Sequence, residues 1–289
     1  MLYCYITNLI LYWEDLILEG IREKKTKEIT YPGLRRFNGI MGAVHFIQAS
    51  FMLIGGFLIG DIIDFRLPVT TDFLKLTDIG GGEFALLPET RTLFEIPLGP
   101  VTSSFLFLSA IAHFLIVLPK VNDFYNRNLE KGINYFRWFE YALSSSIMIV
   151  LIAMNFGVLN LAALISVVAL NAAMNLMGLM MEIHNQDSEK TKWIAFYIGI
   201  FLGIIPWILI AIYIAGIGGD VSNAPWFVWA ILGGYFFFFN TFPINMFLQY
   251  KRVGKWANYL YGERWYIILS LVSKSLLAWL VFAGTLRPV

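Results

Sequence analysis

Seven long apolar stretches constrain the fold of this chain more than any other feature of its sequence. A run of about 20 apolar residues is the length that crosses the hydrocarbon core of a bilayer as an α-helix. Backbone groups in hydrocarbon must be hydrogen-bonded within the segment, and the stretches are too uniformly apolar for barrel strands. The sequence therefore predicts an all-α membrane protein, a bundle of seven transmembrane helices. The predicted helices cover residues 37–60, 100–119, 135–157, 158–181, 193–217, 225–248 and 265–284.

Composition agrees with this class and excludes others. Hydrophobic residues make up 58% of the 289 positions, charged residues make up 14%, and the mean hydropathy is +0.67. The net charge of +1 gives no reason to expect a nucleic-acid partner. Cys4 is the single cysteine, so there is no intrachain disulfide, and the three histidines are scattered. We therefore expect no metal site.

The segments outside the seven stretches predict three smaller parts. Residues 1–36 begin apolar and continue into a charged run, which fits a short cytoplasmic helix on the membrane surface better than a signal peptide. The connection 61–99 is acidic, and its alternating runs are separated by glycines and Pro88, which predicts a small β-ribbon. Residues 37–284 then form the membrane domain, and residues 285–289 form the C-terminus.

The distribution of basic residues predicts the orientation. Sixteen Lys and Arg lie in the N-terminal segment and on the same side of the membrane as it, and four lie on the opposite side. Because basic residues favour the cytoplasmic side, the N-terminus is predicted in the cytoplasm and the C-terminus outside the cell. The ribbon connection would then be extracellular.

Lys274 is the main indication of function, because it lies near the middle of the last apolar stretch with no charged residue within nine positions. An ammonium at the centre of a membrane helix costs about 2.5–3.5 kcal/mol. One interpretation is a lysine that reaches the headgroups or pairs with a buried carboxylate. The other is an amine that forms a Schiff base with a carbonyl ligand held inside the bundle.

Three other ionisable residues are predicted at a similar depth. Counted at 1.5 Å per residue from the cytoplasmic ends of the predicted helices, Glu140 lies about 7 Å in, His113 about 9 Å, His45 about 12 Å and Lys274 about 13 Å. A cation at the Lys274 nitrogen requires an anion beside it in low dielectric. Glu140 is the predicted counterion, and Glu182, at the inner end of the fourth helix, is the next candidate.

Several uncharged positions allow both a structural and a functional interpretation. A lone buried histidine is more often structural, and residues 144–146, three serines, fit close helix packing. Asn171, Asn175 and Gly178 share one stripe of the fourth helix, with Met174 beside it, which predicts a polar, notched wall inside the bundle. The four phenylalanines at 236–239 offer flat surfaces for a conjugated ligand, although such runs are more often plain packing.

These motifs resemble those of one known family, the heliorhodopsins, which are seven-helix retinal proteins of inverted topology. The resemblance covers the helical region. It is carried by LRRFN at 34–38 leading to His45, RWFEYALSSS at 137–146, FNTF at 239–242 and SLVSKSLLAW at 270–279.

The resemblance implies a cofactor and roles for individual residues. Lys274 would carry all-trans-retinal as a protonated Schiff base, Glu140 would be its counterion, and Ser270 would stand where ion pumps have a second aspartate. The ligand pocket would include Ser144, Ser145, Met174, Gly178 and Phe239, while Met246 stands where a polar residue is expected. A hydrated cytoplasmic cluster would contain His45, His113, Asn134 and Arg137. The family also implies a homodimer, with the first extracellular loop contributing.

Three function classes follow. The first is a photoreceptor that signals to an unidentified partner. The second is a light-driven or light-gated proton or ion transporter. Pumping is disfavoured because the outer halves of the predicted helices contain no Asp, Glu, Lys, Arg or His. Passive light-gated conduction stays open, because Ser103, Ser109 and Asn155 could hold water there. The third, a membrane enzyme, is not expected, because no nucleophile or metal constellation is present in the sequence.

Overall fold

The computed structural model describes residues 29–218 and 226–285, so most of the predicted N-terminal surface helix and residues 286–289 lie outside the described residues. Among the described residues, seven helices are long and apolar enough to cross a membrane, which confirms the predicted bundle. The helices are α1 (Tyr31–Leu58), α2 (Gly60–Ile63), α3 (Leu98–Val117), α4 (Pro119–Glu130), α5 (Tyr135–Asn155), α6 (Leu161–His184), α7 (Ile194–Ala215), α8 (Trp226–Tyr250) and α9 (Tyr259–Thr285), with a 3-10 turn at Gly254–Ala257.

The seven long helices surround a common interior. α1 packs on α3, α3 on α5, α5 on α6 and α6 on α7, while α9 packs on α8, α3 and α1. Large apolar side chains such as Ile47, Phe201 and Ile212 point outward and are more than 60% exposed. Buried polar and charged side chains lie between the helices instead. This distribution is typical of a protein whose solvent is a bilayer.

Two helices begin earlier than the sequence predicted. Helix α1 begins at Tyr31, where the Thr30 hydroxyl accepts a hydrogen bond from the Gly33 amide at 3.2 Å. Helix α9 begins at Tyr259, and the Asn258 side chain accepts a hydrogen bond from the Leu260 amide at 2.9 Å. The hydropathy pattern predicted that α1 begins at 37 and α9 at 265, because the first turns of both helices carry charged residues. Those charges are accommodated by the fold: Arg35, for example, donates to the Val117 carbonyl.

A short amphipathic helix, α4, joins the second and third membrane helices. Pro119 occupies its first turn, where the missing proline N–H costs nothing. Tyr125 and Leu129 are buried and pack in a cluster with Leu34 of α1 and Ile267 of α9. Burial raises the pKa of the Tyr125 hydroxyl well above its usual value, so this hydroxyl stays protonated and donates to Glu263 at 3.0 Å. We call the membrane side that holds α4 the α4 side and the opposite side the ribbon side.

The connection between α2 and α3 is the predicted β-ribbon. Strands β1 (Arg66–Gly80) and β2 (Glu83–Pro97) pair antiparallel, and the chain reverses at Gly80, Gly81 and Gly82, which all have positive φ. The strands are longer than predicted because Pro88 does not interrupt β2; it pairs with Leu74, and both strands are edges where a missing N–H is tolerated. The Thr70 amide donates to the Leu159 carbonyl at 2.9 Å, which attaches the ribbon to the α5–α6 connection.

Candidate functional site

Lys274 is buried at the centre of the bundle and lies in direct contact with Glu140. The ammonium Nζ of Lys274, on α9, donates to Oε1 of Glu140, on α5, at 2.6 Å. It also donates to the Ser109 hydroxyl at 2.6 Å, and that hydroxyl donates to the same Glu140 oxygen at 2.6 Å. The Tyr141 ring lies 5.1 Å from Nζ. The amine and the carboxylate that the sequence paired are therefore brought together.

Ser109 also belongs to this site, although the sequence predicted it only as a possible water-binding residue in the outer half of its helix. Its spacing from His113 could have indicated this role. Ser109 precedes His113 by four residues, so it lies on the same face of α3, one turn nearer the ribbon side. Lys274 and Ser270 are likewise four residues apart on one face of α9, with Lys274 nearer the ribbon side. Ser270 is buried, and its hydroxyl has no partner among the described residues.

A cavity of about 220 Å³ extends from Lys274 into the bundle. Its wall is mainly apolar and aromatic, as expected for a site that holds an apolar ligand. Further residues named from the sequence also lie in this wall: Ser145, Met174, Asn175, Gly178, Phe236, Phe239 and Ser270. Met246, where a polar residue was expected, also lines it. Ser144 does not; its side chain is fully buried, one turn after Glu140 on α5.

The cavity contains a notch that requires glycine. A Cβ on Gly178 of α6 would collide with the six-membered ring of Trp138 on α5. On α7, a Cβ on Gly203 would lie 2.5 Å from the Met174 sulfur and 3.4 Å from Phe239. The two glycines therefore let aromatic and thioether side chains of neighbouring helices pack directly on helix backbone.

The asparagine stripe of α6 holds one of the cavity serines. The Ser145 hydroxyl accepts hydrogen bonds from the side-chain amides of Asn171 at 2.7 Å and Asn175 at 3.0 Å. It donates in turn to the Tyr141 carbonyl at 2.6 Å. This polar contact fixes α5 against α6 beside the cavity.

The two histidines form a stacked pair on the α4 side of Lys274. The ring centroids of His45 and His113 are 5.6 Å apart with planes at 11°. Nδ1 of His113 lies 2.7 Å from the Asn38 amide oxygen, whereas neither ring nitrogen of His45 has a partner among the described residues. A small cavity of about 30 Å³ is lined by His113, Glu140 and Ser270, among other polar residues. This volume is large enough for a water molecule.

Arg137 is the centre of a second ionic cluster closer to the α4 side. Its guanidinium donates to Glu182 and to Glu263, and all three side chains are at most 3% exposed. Asn134 caps α5 and donates to both carboxylates, through its backbone amide to Glu182 and through its side chain to Glu263. Further donors are Trp138, Tyr259 and Tyr125.

This cluster corrects two assignments made from the sequence and adds one residue that was not predicted from it. Arg137 was counted among the basic residues on the cytoplasmic side, but it is buried in an ion pair. Glu182, the second candidate counterion, is the partner in this pair and contacts Arg137 rather than Lys274. Glu263 was missed because the seventh helix was predicted to begin after it. Its position could have been found from spacing, since Glu263 precedes Lys274 by three helical turns and so shares its face of α9. Asn134 joins this cluster, while the histidines do not hydrogen-bond to it.

Comparison with known proteins identifies one family. The sequence model of the heliorhodopsin family matches residues 34–286, which is most of the chain. No curated protein matches the sequence.

Proposed function

Because the chain belongs to the heliorhodopsin family, we propose that it is a light sensor whose retinal is bound to Lys274 as a protonated Schiff base, with Glu140 as the counterion. At the coarser level that family membership supports, the chain is a retinal-binding, light-responsive, multi-pass membrane protein. The family is one of light-sensing proteins rather than of enzymes. The observation that carries the finer proposal is the contact between Lys274 and Glu140 beside an aromatic cavity.

The residues around the cavity fit an apolar polyene with one aldehyde. Lys274 is the one lysine in the described helices that lines the cavity, so a single amine is available for covalent attachment. The rings of Trp138, Trp207 and Phe239 offer flat apolar surfaces. Met174 and Gly178 provide the narrow part of the wall. We assign the all-trans isomer from the resemblance of the motifs.

Retinal bound at Lys274 supplies the absorption of visible light and a change of shape on isomerisation. The protein's own groups hold the charge at the attachment atom. The Glu140 carboxylate stabilises a proton on Nζ of Lys274 by direct contact, and the Ser109 hydroxyl bridges the same two groups. The neutral Ser270 adds no second anion. His45, His113, Asn134 and Arg137 form the polar region on the α4 side to which a proton could move.

Sensing is favoured over pumping by the charges of the helices. From Glu140 and Lys274 toward the ribbon side, the described parts of the seven long helices contain no Asp, Glu, Lys, Arg or His apart from the two themselves, so a pumped proton would have no relay within them. We therefore propose signalling to a partner protein, with a light-gated or light-driven transporter as the alternative. Photocurrent recordings in expressing cells distinguish the two, because stationary currents under illumination would contradict the signalling proposal.

We further propose a homodimer in which the ribbon takes part. The ribbon exposes large apolar side chains on both of its faces, which is unusual for a strand pair facing water. These side chains are Phe73, Leu74, Leu76, Ile79, Phe84, Leu86, Leu87, Leu93 and Phe94. Pairing of two such ribbons would cover the apolar side chains on one of these faces.

The proposed attachment point is tested with Lys274→Ala. This variant is expected to fold without acquiring a visible absorption band when all-trans-retinal is added, because it has no amine in the cavity. Lys255→Ala, which removes an exposed lysine from the α8–α9 connection, is the matched control and should acquire the band. Covalent retinal in Lys274→Ala, detected by mass spectrometry after borohydride reduction, would refute the assignment.

A further inference from the structure

A second cavity opens on the outer surface of the bundle, between α3 and α5. It has a volume of about 420 Å³ and is open toward the surface that faces the bilayer. Its lining is apolar except for one tyrosine hydroxyl and one carboxyl group. We call it the α3–α5 groove; it is lined by Leu108, Ile111, Ala112, Leu115, Phe124, Tyr135, Phe136, Phe139, Glu140 and Leu143. Several of these side chains, including Ile111, Phe139 and Leu143, are more than half exposed.

The carboxyl group in the groove is that of Glu140, the residue that contacts Lys274. Its side chain is 9% exposed, whereas that of Lys274 is 4% exposed. The contacts with Lys274 and Ser109 are both made by Oε1. At the groove, no layer of protein therefore separates the proposed counterion from the bilayer. Only the molecule that fills the groove lies between them. The interaction energy of an ion pair at this place depends strongly on whether water or hydrocarbon lies beside it, because the two differ in dielectric constant.

The end of the groove on the α4 side is flanked by exposed basic residues. Phe124 of α4 lines the groove. Lys120 and Arg127 lie four residues before and three residues after it, so all three share one face of the helix. Neither basic side chain has an ion pair within the part of the chain that the structure describes. An apolar groove that ends at two unpaired cations on a surface helix matches the chemistry of an anionic lipid.

We propose that the α3–α5 groove binds one acyl chain of an anionic phospholipid whose headgroup lies at Lys120 and Arg127. The bound chain lies against Glu140 and keeps water away from the Glu140–Lys274 pair. Binding depends only on the groove and the two cations. Its effect on colour rests on the proposed function, in which Lys274 and Glu140 form the chromophore site.

Binding is tested with phosphatidylglycerol that carries a photoreactive diazirine on one acyl chain. The protein is placed in nanodiscs of phosphatidylcholine containing a small fraction of this probe, and the cross-linked peptides are mapped by mass spectrometry. Cross-links should concentrate in α3 around Ile111 and in α5 around Leu143. An even distribution over all lipid-facing helices would overturn the proposal.

Two variants fill the groove and have matched controls on another lipid-facing helix. Ala112→Leu and Leu143→Trp place extra side-chain volume in the groove and should lower cross-linking there several-fold. Ala211→Leu and Ile212→Trp add comparable volume on the exposed face of α7 and should leave the yield unchanged. Unchanged cross-linking in both filled variants would show that the probe does not enter the groove.

The headgroup is tested separately. Lys120→Gln combined with Arg127→Gln should reduce cross-linking of the phosphatidylglycerol probe to the level of a phosphatidylcholine probe. The control, Lys190→Gln with Lys192→Gln, removes two cations from the α6–α7 connection and should have no effect. Equal cross-linking of the two probes to the wild-type protein would contradict selection of an anionic lipid, as would displacement of the probe by free oleate alone.

The colour readout distinguishes this proposal from the assignment of the chromophore. The absorption maximum of the wild-type protein should change with the phosphatidylglycerol content of the nanodisc. The maximum of Leu143→Trp, in which the groove is filled, should not change with that content. If the cross-linking results hold and Lys274→Ala still acquires the visible band, the lipid site stands and the chromophore assignment fails. If the cross-links are absent while Lys274→Ala is colourless, the lipid site fails alone.

Discussion

At the scale of single residues, the interior contains two ionic sites with different balances of charge. Lys274 faces one carboxylate, that of Glu140, and one hydroxyl. Arg137 faces two carboxylates, which also accept hydrogen bonds from neutral donors. The first site therefore depends on a single anion, whereas the second has an excess of acceptors that the surrounding donors satisfy. Removing one residue should have different consequences at the two sites.

Glu140→Gln should change the colour of the retinal-loaded protein. Without the anion, a proton at the Lys274 nitrogen loses its direct partner in a site of low dielectric. The absorption band should move to the blue if the proton is lost near neutral pH, or to the red with dependence on added chloride if an external anion replaces the carboxylate. Glu95→Gln, on the ribbon, is the control. A spectrum and pH titration equal to those of the wild type would show that Glu140 is not the counterion.

Arg137→Gln should destabilise the protein more than Glu263→Gln. Removing the guanidinium leaves two buried carboxylates without their cation, which costs about 3–5 kcal/mol. Glu263→Gln leaves Arg137 paired with Glu182 and loses one charged hydrogen bond, which costs about 1.5–3 kcal/mol. Unfolding followed in detergent gives both values, with Arg127→Gln as the exposed control. Equal effects of Arg137→Gln and the control would argue against a structural role for the cluster.

At the scale of elements, α5, α6 and α9 position the site because each presents several polar residues on one face. Helix α9 carries Glu263, Ser270 and Lys274 on the face toward α5 and α3, and these serve different sites along its length. Helix α6 meets α5 through Asn171 and through Gly178, which lies under the Trp138 ring. The spacing between α5 and α6 therefore depends on a missing side chain.

Gly178→Ala tests this close approach. The added methyl group must displace the Trp138 ring, which also donates to Glu182 at 2.5 Å. Overpacking of this kind costs about 1–3 kcal/mol and should also alter the absorption maximum, since both residues line the cavity. Gly233→Ala in α8, where a Cβ meets nothing within 4 Å, is the control and should be neutral or stabilising by up to about 1 kcal/mol. A variant at 178 as stable as this control would refute the packing constraint.

At the scale of the whole molecule, the bundle has two unlike sides. The α4 side carries the basic connections, and the ribbon side carries the acidic β-ribbon. Burial of Arg137 removes one cation from the count that predicted the orientation but leaves the excess of basic residues on the α4 side. The proposed topology, with the α4 side in the cytoplasm, is therefore still supported by the positive-inside rule.

Site-specific labelling in intact cells tests this topology. A cysteine at Gly81, in the exposed turn of the ribbon, should react with a membrane-impermeant maleimide, whereas one at Lys190 should react only after the cells are opened. Both variants are made in a Cys4→Ser background so that the native thiol does not contribute. The opposite pattern would reverse the assignment of the two sides.

The sequence by itself determined the class of fold, the number of membrane helices, the ribbon and the pairing of Lys274 with Glu140. Hydrophobic length and the cost of a charge in hydrocarbon are local properties, and they restrict these features without knowledge of contacts. The tertiary structure decided which polar groups meet. It placed Ser109 on Lys274, moved Glu182 from a candidate counterion to the partner of Arg137, and drew Glu263 into the bundle by extending α9. These outcomes depend on how the helices are rotated and where they end, and side-chain packing between helices determines both.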